Sequence, residues 1–173
     1  MIDGLEVLSL DKGFTDKRGI IYTTSHESIP DGDIFREEKI SISHKNVLRG
    51  FHGDSVTNKL FSCFSGELKI VVVDRRRGSP TFFTGDKEVG YFSQVLNQED
   101  NIHIFVPKGC INAHYVLADN SVLHYKTTVK YNGIESQQTV KWDDPIINGF
   151  SEVIDPLISD RDYNGLSLEE VLL

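Results

Sequence analysis

The chain is written in short β-branched segments cut by glycine, and that rhythm constrains its fold more than any other feature. Leu68-Lys69-Ile70-Val71-Val72-Val73 is the densest of these segments. Val and Ile are stiff at χ1 and pack well on a pleated surface, so the run reads as a buried strand. Ile102-His103-Ile104-Phe105-Val106 alternates and stops at Pro107, as a strand does where the next residue lacks an N–H. Val122-Leu123-His124-Tyr125-Lys126-Thr127-Thr128-Val129 is a third. Glycine occurs 14 times and bounds such segments, each about 5–8 residues long, the spacing of an all-β chain. Arg77-Gly78-Ser79-Pro80 and Tyr131-Asn132-Gly133 carry turn chemistry. One helix signal stands out near the end: Ser167 as cap, Glu169 and Glu170 in the first turn, then Val171 and Leu172. Many short strands and one short C-terminal helix predict an all-β jelly-roll barrel of two packed sheets.

At 173 residues the chain is one domain with room for a sizeable core. Hydrophobic residues make up 39% and charged residues 25%, the balance of an ordinary soluble globular protein. A net charge of −8 argues against a nucleic-acid partner while leaving room for a local basic patch that holds phosphate. No apolar run approaches the roughly 20 residues of a membrane helix. Met1-Ile2-Asp3-Gly4 lacks the cationic and apolar regions of a secretory signal, so a cytoplasmic protein is expected. Cys63 and Cys110 are the only cysteines, and both sit among apolar residues. They read as reduced core thiols.

Chemistry-bearing residues gather around His52, in the run Val47-Leu48-Arg49-Gly50-Phe51-His52. A metal-binding barrel would place a second histidine two residues on and a carboxylate soon after. Here position 54 is Asp54, and no His or Glu follows until Glu67. A catalytic metal needs about three fixed protein ligands, so this segment predicts no metal site. A single strand histidine can also be an ordinary hydrogen-bonded core or surface residue. Tyr125, Thr127 and Val129 share one face of an extended segment, so Tyr125 can point inward while Lys126 points out. Taken alone, Tyr125 is equally a packing residue, and Lys59, seven positions beyond His52, a surface lysine. Arg18, Arg49 and the triplet Arg75-Arg76-Arg77 are the cationic candidates, the triplet reading as a solvated strand end. The usual phosphate cradles and the serine-hydrolase elbow are absent. A base, a compact cation and a phenolic acid together point to proton abstraction beside a carbonyl, with no metal and no redox cofactor.

These segments resemble the nucleotide-sugar 3,5-epimerase family, a group of dTDP-4-dehydrorhamnose 3,5-epimerase-like, cupin-type jelly rolls. Phe14-Thr15-Asp16-Lys17-Arg18-Gly19 is similar to its F-x-D-x-R-G, and Lys45 through His52 to its K-N-V-L-R-G-L-H. Gly66-Glu67 through Asp74, then Ser79-Pro80-Thr81-Phe82, resembles G-E-V-x-D-V-x-V-D and S-P-T-F. Tyr125-Lys126-Thr127-Thr128, Trp142-Asp143-Asp144-Pro145 and Ile158-Ser159-Asp160-Arg161-Asp162 resemble Y-K-T-T, W-x-D-P and L-S-x-K-D. Any one of these is weak, but six in the same order are specific.

The resemblance implies residue roles. His52 is the base and Asp162 its carboxylate partner. Lys59 lies near the ketone oxygen of the substrate, and Tyr125 returns the proton. Arg18 and Arg49 meet the diphosphate, Arg18 reaching over from the partner subunit of a homodimer, and Tyr131 stacks on the nucleobase. Asn112 and His114 are implied as sugar contacts, Asn112 replacing a substrate-facing histidine. His52-Gly53-Asp54 replaces H-F-Q, and Ile21 and Thr23 replace an aromatic and a glutamate that help hold thymine. H-G-D and N-x-H-Y-V resemble a branch acting on GDP-linked 4-keto-6-deoxy-heptoses in capsule synthesis. The implied whole is a single epimerase domain over 1–173, with a barrel core of about 35–142 and an N-terminal segment shared across the dimer. Its implied substrate is a nucleotide-diphosphate 4-keto sugar. A 3,4-ketoisomerase and a non-catalytic nucleotide-sugar-binding barrel are the alternatives.

Overall fold

The computed structural model describes residues 1–9, 13–21, 23–24 and 34–171. Strands β1 (Glu6–Ser9), β4 (Glu37–Ser43), β6 (Lys59–Ser65), β9 (Ile102–Val106) and β11 (Ser121–Thr127) form one five-stranded sheet in the order β1-β9-β6-β11-β4. A second sheet has the order β12-β5-β10-β7-β8, from β5 (Leu48–Gly53), β7 (Glu67–Asp74), β8 (Tyr91–Asn97), β10 (Cys110–Val116) and β12 (Gln138–Thr139). A separate ribbon pairs β2 (Phe14–Asp16) with β3 (Gly19–Ile21). Pairing between the named strands is antiparallel throughout. The architecture is the jelly roll that the strand rhythm predicts, and all three strands read from composition form where expected.

The run Ile70–Val73 is apolar without alternation because β7 is covered on both faces there. Leu68, Ile70 and Val72 pack between the sheets with Phe61, Leu96, Ile104 and Leu123. Val71 and Val73 pack outward with Phe51, Phe83 and Ile111 under a C-terminal segment that contributes Ile147, Phe150, Leu168 and Val171. Both cysteines are buried and unpaired, and burial pushes the thiols up, Cys63 to about 11 and Cys110 to about 12.

The C-terminal segment is tied down by polar groups the sequence had left without a role. Asp144 accepts the N–H groups of Ile146, Ile147 and Leu168, the last at 2.9 Å. Arg75 is buried and donates to the carbonyls of Phe83, Leu168 and Val171. The expectation that the arginine triplet is a solvated strand end therefore holds for Arg77 alone; Arg76 pairs with the fully buried Asp74 at 2.7 Å. Ser79 and Thr81 also donate to Asp74, which accounts for the S-P-T segment as a polar plug at the end of β7.

The helix read at Ser167 is a single 3₁₀ turn, Leu168–Glu170, closed by the reciprocal Ser167–Glu170 capping box. Arg75 takes the carbonyls of Leu168 and Val171, and Val171 leaves the turn in an extended conformation. The α-helical turn lies earlier, at α1 (Asp160–Tyr163), where the Ser159 hydroxyl caps the N–H of Asp162 at 3.2 Å.

Candidate active site

One end of the barrel opens into a cavity of about 790 Å³ between the two sheets, a size that suits a ligand of several hundred daltons. His52, Lys59, Asn112, His114, Tyr125 and Asp162 all line it, with Arg49 and Tyr131. The structure thus brings together every residue to which the resemblance gave a catalytic or substrate-binding role except Arg18. Arg18 sits exposed at the tip of the β2–β3 ribbon, where it pairs with Asp16 at 2.6 Å.

Local irregularity explains how Arg49 and His52 both reach the cavity. Strict alternation along β5 would send them to opposite faces. The β5–β10 register shifts between Asn112 and His114, so a bulge turns the strand. Leu48 and Phe51 then point outward into the core, and Arg49 and His52 point inward. Gly50 is essential to this turn. Its φ is +114°, and a Cβ there would lie 2.6 Å from the Asn112 carbonyl oxygen.

His52 is anchored from below by α1. Its Nε2 meets Asp162 Oδ1 at 2.6 Å, and Asp162 Oδ2 accepts the Gly50 N–H at 3.1 Å. Burial alone would raise the Asp162 carboxyl, but the hydrogen bond and charge of His52, with the Gly50 N–H, hold it below the usual carboxylate range. With Nε2 engaged, the other ring nitrogen of His52 is left for a ligand. Tyr125 comes from β11 in the facing sheet, with Thr127 and Val129 beside it on the cavity wall and Lys126 on the outer face against Glu38. Burial pushes its phenol above the ordinary value, so it is protonated at neutral pH.

Lys59 starts on β6 and crosses to the opposite sheet. Its ammonium donates to the His52 carbonyl oxygen at 3.1 Å and to Asn112 Oδ1 at 2.8 Å. Burial draws its pKa down to about 8, against a smaller opposing pull from Asp54 and Cys110. His114 is also buried in the cavity floor, and its Nε2 has no hydrogen-bond partner. Burial, then the nearby Arg49 and His52, bring its pKa to about 3, so the ring is neutral.

Toward the mouth the Arg49 guanidinium is exposed, with one long contact of 3.4 Å to Ser43. The Lys39 ammonium lies 4.5 Å from the Tyr131 ring centre and 2.9 Å from Glu37, whose carboxylate also accepts the Tyr131 N–H. Glu37, Lys39 and Arg161 are cavity residues that the sequence reading passed over. The polar–apolar alternation Lys39-Ile40-Ser41-Ile42-Ser43 was the sequence signal for a strand that places the first two. Among the described residues, no group of three or more His, Cys, Asp or Glu could hold a metal ion, and no helix is long and apolar enough to cross a membrane.

His52 on one sheet and Tyr125 on the other line the same cavity, and the comparisons define the class: an isomerase on a cupin-type jelly roll. The family model for dTDP-4-dehydrorhamnose 3,5-epimerase matches residues 1–170. The enzyme of that name from Neisseria gonorrhoeae is 36% identical over 160 residues, which take in 88% of this chain and 46% of that protein. That from Shigella flexneri is 33% identical over 162 residues, covering 89% of this chain and 86% of the relative. Among solved structures, dTDP-6-deoxy-D-glucose-3,5-epimerase from Legionella pneumophila, in complex with dTDP-4-keto-L-rhamnose, superposes with a TM-score of 0.81 at 30% identity over 98% of this chain and 90% of that one. The chain belongs to the dTDP-4-dehydrorhamnose 3,5-epimerase family.

Proposed function

We propose that the protein epimerises the carbons flanking the ketone of a nucleotide-linked 4-keto-6-deoxy sugar, through an enolate. The observation that carries this reading is the His52–Asp162 pair at 2.6 Å on one side of the cavity, with Tyr125 supplied by the facing sheet. A ketone at C4 acidifies the hydrogens at C3 and C5, so the step needs no redox cofactor. His52 takes one of these protons with its free ring nitrogen, and Asp162 stabilises the resulting imidazolium as carboxylates do for catalytic histidines elsewhere. The electrons of the broken C–H bond move onto the ketone oxygen. Two of the three N–H bonds of Lys59 are already used, and the third meets that oxygen. Tyr125 then returns a proton from the other side, and the centre is inverted.

At the mouth, Arg49 meets the diphosphate and Tyr131 stacks on the base. Arg18 joins the diphosphate from a second subunit. This assignment is supported by the β2–β3 ribbon, whose Phe14, Ile20 and Ile21 side chains are exposed. A two-stranded ribbon with an apolar face gains stability by packing on another surface.

A dTDP-linked hexose is the substrate the relatives favour. A GDP-linked heptose is the second reading. Glu37 beside Tyr131 supports it, because guanine can give a carboxylate two N–H bonds and thymine only one. The buried, unpartnered Nε2 of His114 in the cavity floor suits a sugar rich in hydroxyls. Incubation with dTDP- and GDP-linked 4-keto-6-deoxy sugars in heavy water, followed by NMR, tests all of this. The expected result is deuterium entering at C3, C5 or both, with inversion at the same carbon. Exchange at neither, or a carbonyl moved to C3, would overturn the epimerase reading.

A further inference from the structure

Lys59 is a buried cation held by neutral groups alone. Its two hydrogen-bond acceptors are a main-chain carbonyl of β5 and the side-chain amide of Asn112 on β10. Among the described residues it makes no ion pair, and Asp54 acts on it only at a distance. The amide orientation is determined by chemistry. An ammonium can only donate, so the oxygen of Asn112 must face it. Asn112 also stands directly opposite His52 in the β5–β10 register. One cross-strand pair therefore carries both the base and the group that grips the cation.

We propose that Asn112 is a positioning residue: it holds the Lys59 ammonium across the cavity with a neutral acceptor and aims the remaining N–H bond at the carbonyl oxygen of the substrate. The proposal rests on the epimerase reading and assigns Asn112 to the lysine where the sequence implied a sugar contact. Neutrality is the point of the amide. A carboxylate at this position would form an ion pair, hold the protons of the ammonium on itself and leave less of the donor for the enolate. An apolar residue would leave the ammonium buried with one acceptor, free to swing away. The lowered pKa of Lys59 agrees with a cation that has no anionic neighbour in contact.

Two substitutions test this, Asn112→Asp, which is isosteric, and Asn112→Ala, which removes the acceptor without adding bulk. The first measurement needs no turnover: NMR titration of the Lys59 side chain, its resonance assigned by its loss in Lys59→Met. Lys59 should titrate about a unit or more higher in Asn112→Asp and about a unit lower in Asn112→Ala. In kinetics with the 4-keto sugar that the wild type turns over, kcat should fall about 10–100-fold in both variants, with KM within about twofold. The alkaline limb of kcat should move up in Asn112→Asp and down in Asn112→Ala. An unmoved Lys59 titration in both variants would overturn the proposal. So would a raised KM at unchanged kcat and pH profile, the signature of a direct sugar contact. If the wild type exchanged no substrate hydrogen at all, the epimerase reading would fall, while the Lys59 titration would still decide the role of Asn112.

Discussion

In the proposed reaction His52 and Tyr125 take opposite halves, and single substitutions should separate them. His52→Asn removes the base and should abolish both solvent exchange and inversion. Tyr125→Phe removes one oxygen, so exchange should continue while inversion slows. Each loss should be of the order of 10²–10⁴ in rate, the usual worth of a general acid or base. Asp162→Asn should depress exchange, since an amide supports an imidazolium poorly. NMR in heavy water reads all three, and near wild-type exchange by His52→Asn would move the base elsewhere. Lys59 carries a second prediction, on stability. Its pKa is about 8 in the fold, against an ordinary 10.5. Below pH 8 both folded and unfolded chains hold the proton, and the fold bears the full penalty of a buried cation. Between about 8 and 10.5 the unfolded chain binds the proton and the folded one does not, so this group makes stability rise with pH. In Lys59→Met the urea midpoint should lack that rise between pH 8 and 10.5. The buried lysine thus costs the fold stability at neutral pH, a cost that the proposed reaction would account for.

At the scale of elements, the site depends on a bulge and a single helical turn. Gly50→Ala would set a Cβ 2.6 Å from the Asn112 carbonyl oxygen at a φ of +114°. Neither backbone can move without shifting the N–H that Asp162 accepts. We expect a loss of about 2–4 kcal/mol in urea unfolding, and a drop in exchange rate beyond what the lost stability explains. An unchanged rate would show that β5 does not need its bulge. These features also separate what was legible in the sequence from what was not. Strand β9 was readable because alternation ended at a proline, and β7 because β-branched residues covered both of its faces. Helix α1 was hidden: four residues are too few for a 3.6-residue period, and its Ser159 cap with Asp162 three residues later was the only local sign. The expected helix at Ser167 had a good cap but no length. Asp162 itself was reachable only by resemblance, since nothing local joins it to a histidine 110 positions away. The contact between Lys59 and Asn112 spans 53 positions and had no signal in either segment. The bulge at Gly50, which puts Arg49 and His52 on one side, contradicts the alternation on which strand reading depends.

For the whole molecule, exposed apolar side chains on two elements offer surface to a second copy: Phe14, Ile20 and Ile21 on the ribbon, and Ile40 and Ile42 on the edge strand β4. We expect sedimentation to show a homodimer, the commonest symmetric assembly. If Arg18 serves the neighbouring cavity, Arg18→Gln should raise KM with little change in kcat. Mixed dimers of Arg18→Gln and His52→Asn would carry one intact site, so mixing should restore tight-binding turnover that neither parent has. No recovery on mixing, after proven subunit exchange, would return Arg18 to its own chain.

The bond between His52 and Asp162 has a consequence in time. It closes a loop of about a hundred residues, and long-range closure is among the slower events of folding. The jelly roll can pair most of its strands before the segment bearing Asp162 docks beneath β5. During refolding, β-sheet circular dichroism should therefore recover ahead of catalysis, and activity should report the last stage of assembly. Simultaneous recovery would mean that barrel and clasp form in one cooperative step. In the sequential case a newly made chain remains chemically silent until its C-terminal segment has arrived, so turnover itself certifies a finished fold.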